Sequence, residues 1–192
     1  MKSKTPLLII VFVLFALGIG GYFVFRSGGQ DSATSGVSQK TELRSTEVSG
    51  NFVKGQKVPD ATFTDFEGNL HMLSDFEGRA VVLDFWAAWC PFCVAEMPLL
   101  QAAQDKYADD LVMIGVHRTD TEKKERGLEF AKERGVTYLL LSDDGSLYRA
   151  AGGFGMPVAV FIDKDGVVQE IKSGPKTAEE IEERTGKLVN SN

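Results

Sequence analysis

The run AVVLDFW, from Ala80 to Trp86, ends four residues before the tetrad Cys90-Pro91-Phe92-Cys93. Short, nearly unbroken and rich in β-formers, it reads as a strand covered on both faces. Pro91 suits the first turn of a helix, where its missing N–H leaves no hydrogen bond unmade. The chain must therefore pass from a buried strand straight into a helix at Cys90, and a sheet has to be built around that junction. There the unpaired amides and the dipole of a helix start favour a thiolate on Cys90. Cys93, three residues on and on the same side of the first turn, can reach back to it.

The rest of the sequence supplies the sheet. ATFTDFEGNLHML sets apolar residues on either side of Glu67-Gly68-Asn69, a turn signal, and predicts a hairpin. Val94, Met97, Leu100 and Tyr107 recur at helical spacing to about Ala108, with Pro98 as a kink. Residues 111–116 (LVMIGV) read as a second buried strand, 121–134 as a charged helix stopped by Gly135, and 138–141 as a third strand. A second hairpin joins 157–162 to 167–171 through Asp163-Lys164-Asp165-Gly166, and Thr177 with Glu180 makes a capping box for a last helix. Strands alternating with helices predict an α/β fold with a mixed central sheet and helices on both faces.

Ahead of this domain, residues 7–25 are 19 uncharged, largely apolar residues. At about 1.5 Å per residue they nearly cross a hydrocarbon core of about 30 Å, and they read as a membrane anchor. A cleaved signal peptide would carry a shorter apolar core, roughly 7 to 15 residues, and an A-x-A site that this sequence lacks. No cysteine near the end of the run could take a lipid. Lys2 and Lys4 precede the run and only Arg26 flanks its far side, so residues 1–6 are expected as a cytoplasmic stub and the remainder outside the cytoplasm, on a single-pass protein of the cell membrane. Residues 26–50 hold 13 Ser, Thr and Gly among 25 and read as a flexible linker to one domain, 51–192.

Composition removes several classes of function. With 21 basic against 27 acidic residues and no basic run, the chain has no electrostatic grip on a phosphate backbone, and nucleic acid is not expected as a partner. Two cysteines preclude a disulfide framework and a four-cysteine zinc site, and with His71 and His117 they form no recognisable metal quartet. No metal and no cofactor beyond a redox-active Cys90–Cys93 disulfide is expected.

VVLDFWAAWCPFC, followed about sixty residues later by GMPVAVFIDKDG, resembles the thioredoxin superfamily. The leading VPDATFTDFEGN is similar to its membrane-anchored, extracytoplasmic thiol-disulfide oxidoreductases of the TlpA and ResA type, with redoxin (AhpC-TSA-type) domains. The resemblance runs from about Val58 to the last helix. It implies a thioredoxin fold with an added N-terminal hairpin and an inserted segment, here within 119–147. It also implies that Pro157, after Met156, is a cis-proline facing the cysteines, where its neighbouring backbone pairs with an incoming peptide and Met156 touches substrate.

Single residues carry further expectations. Asp84 is a carboxylate within an apolar strand, where an unpaired charge raises its pKa; it is either a proton shuttle or a strand-end residue bonded locally. Thioredoxins carry an acid at this position that assists the second cysteine, whereas membrane-anchored relatives often do not. Glu96 matches the glutamate that ResA-type proteins place near the cysteines, or else lies on a solvated helix face. Trp89 is expected to cover the disulfide, Pro91 and Phe92 to tune it, and Trp86 and Phe85 to be core. His117, at the same edge of the sheet, is read as a surface-loop histidine, and Glu122 to Arg126 (EKKER) as a solvated helix face.

The leading reading is an enzyme. Cys90 attacks a disulfide in an exported protein, Cys93 resolves the complex, and Asp84 or Glu96 carries the proton. The resemblance adds apocytochrome c as a substrate and, for a reductase, a membrane thiol-disulfide electron donor. A copper-delivery or redox-sensing module is the second reading, although the copper-delivery relatives space their cysteines by three residues. A thiol peroxidase is the third, and PFC does not supply its P-x-x-x-T-x-x-C pattern.

Overall fold

The structure is a computed structural model and describes residues 46–191. The expected stub, membrane anchor and most of the linker lie outside the described residues. Among those described, no helix is long and apolar enough to cross a membrane.

The strands are β1 (Thr46–Val48), β2 (Ala61–Asp65), β3 (Leu70–Met72), β4 (Ala80–Trp86), β5 (Leu111–Arg118), β6 (Leu139–Asp143), β7 (Val158–Ile162) and β8 (Val168–Ser173). The helices are α1 (Pro91–Lys106), α2 (Lys124–Glu133), α3 (Ser146–Ala150) and α4 (Ala178–Val189), with one 3₁₀ turn at Leu73–Phe76. Eight strands make one mixed sheet in the order β1-β2-β6-β5-β4-β7-β8, with β3 attached to β2. β4 lies at its centre, parallel to β5 and antiparallel to β7. This is the thioredoxin-type α/β arrangement expected, hairpin and insertion included: 119–147 holds α2, β6 and the start of α3.

Local chemistry explains the elements. Asp65 closes the β2–β3 hairpin by accepting the Asn69 backbone N–H at 2.7 Å and its side-chain amide at 2.8 Å, while Gly68 takes the positive φ of 95° that the turn requires. Thr177 and Glu180 form the expected capping box on α4. Pro98 is accommodated within α1, which continues unbroken to Lys106.

One boundary differs from the sequence reading. Thr46–Val48, assigned to the linker, forms β1 against β2. Thr46 is buried and donates its hydroxyl to the Ser142 carbonyl at 3.0 Å, so a polar residue that reads as linker is anchored by one long-range bond.

Alternation along β4 divides the core. Val81, Leu83 and Phe85 point to the face closed by the 3₁₀ turn and α3, where they pack with Phe63, Phe76, Leu147 and Tyr148. Val82 packs with Leu100, Ala103, Ile181 and Leu188 of α1 and α4 on the other face. Asp84 and Trp86 belong to that second face by the period of two. Leu83 is wholly buried at the middle of the sheet. Leu83→Ala is expected to lower unfolding stability by about 2–5 kcal/mol, read as a drop in the urea midpoint at unchanged slope.

Candidate active site

β4 delivers the cysteines. After Trp86 the chain turns through residues 87–89, and Cys90 becomes the N-cap of α1 with extended backbone (φ −92°, ψ 103°). Its Sγ accepts the Cys93 N–H at 3.2 Å and its carbonyl accepts the Val94 N–H at 3.1 Å. A sulfur thus occupies the place where a capping oxygen usually satisfies an orphan amide, and the field of the helix start favours negative charge on it. The two sulfurs are joined as a disulfide, with Cα atoms 5.3 Å apart.

Both cysteines are buried, in one apolar cluster with Phe66, Trp86, Met97 and Ala131. Trp86 therefore covers them from the sheet. Trp89, expected to do so, is 52% exposed, and its indole N–H donates to Thr121 Oγ1 at 3.2 Å. Pro91 and Phe92 are also exposed, Phe92 by 57%. Met156 packs against the cysteine cluster, Pro157 is buried, and the peptide between them is cis, as the resemblance implies. Trp89 and Phe92 are thus an exposed apolar surface flanking the disulfide, with the Met156–Pro157 loop packed on the same cluster.

One turn along α1 from Cys93, Glu96 joins a cluster of buried charge. Asp84 and Glu96 side chains are each 2% exposed, and both face Lys176, whose side chain is fully buried. Lys176 Nζ stands 2.8 Å from Glu96 Oε2 and 3.5 Å from Asp84 Oδ1; both approaches are poorly aligned for hydrogen bonds and act as charge pairing. The backbone N–H of Lys176 donates to Glu96 Oε1 at 2.5 Å, so one residue engages both oxygens of Glu96. Burial pushes the Asp84 carboxyl up to about 7; the Lys176 ammonium opposes this and the Glu96 charge adds to it. The solvated-face reading of Glu96 and the local-bond reading of Asp84 are both overturned, because each acid points inward to a cation from another element.

His117 also departs from its expected place. It is fully buried, its ring 4.8 Å from that of Trp86, and its Nε2 pairs with Glu122 Oε1 at 2.7 Å. A Cβ on Gly127 would lie 2.4 Å from Nε2, so only glycine lets α2 close on the imidazole. Burial holds the His117 pKa below its usual value despite the Glu122 partner. Glu122 is no solvated face either. Its Oε1 also accepts the Ala88 N–H at 2.5 Å, which ties the turn before Cys90 to the segment leading into α2. Sequence reasoning missed Lys176 and this role of Glu122. The available signal for the first was two acids near buried elements with no countercharge assigned; for the second there was none.

Two outcomes follow. A carboxyl whose pKa rises on folding favours the folded state fully below its unfolded value of 3.8 and loses that contribution as pH climbs through about 7. Asp84→Asn removes the loss, and at pH 8 the variant should be more stable than wild type by about 2–4 kcal/mol at 1.36 kcal/mol per unit; parallel stability curves between pH 4 and 8 would contradict it. Glu122→Ala strands the Ala88 amide and should cost about 1–3 kcal/mol by urea denaturation, against less than about 0.5 for exposed Lys123→Ala.

A Cys-x-x-Cys disulfide at the start of the helix that follows the central strand, packed against a loop with a cis-proline, defines a thioredoxin-fold thiol-disulfide oxidoreductase. The chain belongs to the Redoxin family, which it matches over residues 53–187. It is 34% identical to the thiol-disulfide oxidoreductase ResA of Bacillus thuringiensis subsp. konkukian, over 70% of this chain and 78% of that one. With ResA of Bacillus anthracis it shares 32% identity over 95% of both chains. Among solved structures, it is similar to a Chlorobium tepidum chain assigned as thiol:disulfide interchange protein DsbE (TM-score 0.66, 28% identity, 73% of this chain, all of that one). It also resembles the exposed lipoprotein thioredoxin Etrx1 of Streptococcus pneumoniae (TM-score 0.57, 28% identity, 67% and 99%). Thiol-disulfide exchange is the chemistry of this chain.

Proposed function

We propose that the chain is a membrane-anchored oxidoreductase acting outside the cytoplasm on exported proteins, with apocytochrome c as one substrate. The observation that carries this reading is the Cys90–Cys93 disulfide capping α1 on the apolar cluster that Met156 joins. The apolar run at 7–25 supports the anchor, and the likeness to ResA of Bacillus anthracis extends over 95% of both chains.

In the reducing direction the Cys90 thiolate attacks one sulfur of a substrate disulfide, and the other substrate sulfur leaves as a thiolate that takes up a proton. Cys93 then gives its proton to the buried acids and attacks Cys90 Sγ, which releases the second substrate thiol. Two electrons pass to the substrate, and the enzyme is left as the disulfide observed here. A membrane thiol-disulfide donor restores the dithiol. Asp84, with Glu96, accepts the Cys93 proton; a carboxyl poised near 7 can both take and return it at neutral pH. Trp89, Pro91, Phe92, Met156 and Pro157 form the surface that receives the substrate chain.

In cells, Cys93→Ser should accumulate mixed disulfides with exported proteins that dissolve on reduction, and Cys90→Ser should yield none. Equal trapping by both variants would remove the assigned roles. A redox titration of the pair fixes the direction, since oxidants and reductants of this superfamily differ by tens to hundreds of millivolts.

A further inference from the structure

Lys176 is the least expected residue of the site. It stands between Pro175 and the N-cap of α4, where a lysine ordinarily reaches into water, yet its side chain is fully buried. Such a charge costs several kcal/mol to desolvate, and a buried ion pair rarely returns more than it costs. A methionine would fill the volume without that penalty. The contacts are nevertheless specific: ammonium against both acids, backbone N–H on Glu96.

We propose that Lys176 is a positioning residue of the exchange reaction: clasped between Asp84 and Glu96, its ammonium keeps that carboxylate pair able to accept the one proton Cys93 must release. The inference rests on the oxidoreductase reading above and adds a residue to it. Charge accounting gives the reason. With both acids ionised and the lysine protonated, the cluster carries −1; one proton makes it neutral. Without the ammonium the same pocket would hold two like charges close together, and such a pair keeps a proton to higher pH. The acceptor would be filled before Cys93 needed it. The proton moves from Cys93 Sγ to the carboxylate pair, the Cys93 sulfur bonds to Cys90, and the Cys90–substrate S–S bond breaks with the electron pair leaving on the substrate sulfur.

The surroundings contain few competing charges. Asp84 comes from β4, Glu96 and Cys93 from the first two turns of α1, and Tyr138 lies buried just ahead of β6. Burial, and then the charges on Asp84 and Glu96, hold the Tyr138 phenol above its usual value, so it stays protonated at neutral pH. Lys176 is the one cation paired with these acids among the described residues.

The test uses full-length protein in detergent micelles, reduced and mixed with excess oxidised glutathione. The resolving step is the second phase, independent of glutathione concentration, followed by tryptophan fluorescence from pH 5 to 9. Lys176→Met should move the acid limb of that phase up by at least one pH unit, slow it about tenfold at pH 7, and meet the wild-type rate within about twofold at pH 9. Lys176→Arg should restore the midpoint. A slowing uniform across pH, or no change, overturns the proposal while leaving the enzyme reading intact; absence of any exchange in wild type overturns both. Should the methionine variant not fold, the wild-type protein decides. The Lys176 ammonium resonance must shift with pH at the midpoint of the resolving step and lose that response in Asp84→Asn; a flat resonance overturns the proposal.

Discussion

The site depends on the position of one strand. β4 is hydrogen-bonded on both edges, and its register leaves no freedom at its C-terminal end: Trp86 faces His117 of β5, and Phe85 faces Val158 of β7. A slip of one residue would turn Asp84 and Trp86 to the other face and expose Leu83 to the charge cluster. The same register fixes the approach of three loops. The turn into α1 leaves β4, the segment toward α2 leaves β5 at Arg118, and the cis-proline loop enters β7 at Val158. Cysteine pair, Glu122 segment and cis-proline loop converge because three adjacent strands end or begin at one edge.

The two faces of the sheet do different work. Around Leu83 the core is apolar and packed, as burial alone would arrange it. On the other face, two acids, a lysine, a histidine and a glutamate stand within or beside the cluster that holds the cysteines. Replacing the Asp84–Lys176–Glu96 cluster as a whole by apolar residues would be neutral or a gain of about 1–4 kcal/mol, whereas removing one partner leaves an uncompensated charge or amide. A concentration of such groups next to a disulfide is how a fold spends stability to control protons.

Much of this could be read from sequence because it is periodic or local. The unbroken apolar run marked β4, the turn residues marked both hairpins, and Thr177 with Glu180 marked the start of α4. Cys90 and Cys93 identified themselves by spacing. What stayed hidden was tertiary. Lys176 follows Pro175 in a polar loop, and nothing local distinguishes it from a solvated lysine; its burial follows only from α4 packing over α1 and β4. His117 and Glu122 lie five residues apart, a spacing with no helical or strand meaning here, and meet because Gly127 lets α2 approach. Thr46 reads as linker, and it becomes sheet by pairing with Phe63 of β2, with its hydroxyl bonded to Ser142, 96 residues away.

His117 and Asp84 shift in ways that agree. Burial lowers the pKa of His117 and raises that of Asp84, so in each case the neutral form is favoured. An imidazole held below its usual value is uncharged at neutral pH, and its Nε2 is committed to Glu122 rather than to a sulfur. It is therefore not an imidazolium partner of the kind that activates many reactive cysteines. With the histidine neutral and Lys176 engaged by two carboxylates, the positive field at Cys90 comes from the amides of α1, the Cys93 N–H first among them. That field is built into the backbone and does not titrate. The pH dependence of the resolving step then belongs to the groups that hold the second proton, whereas the step that forms the mixed disulfide follows the ionisation of Cys90 itself.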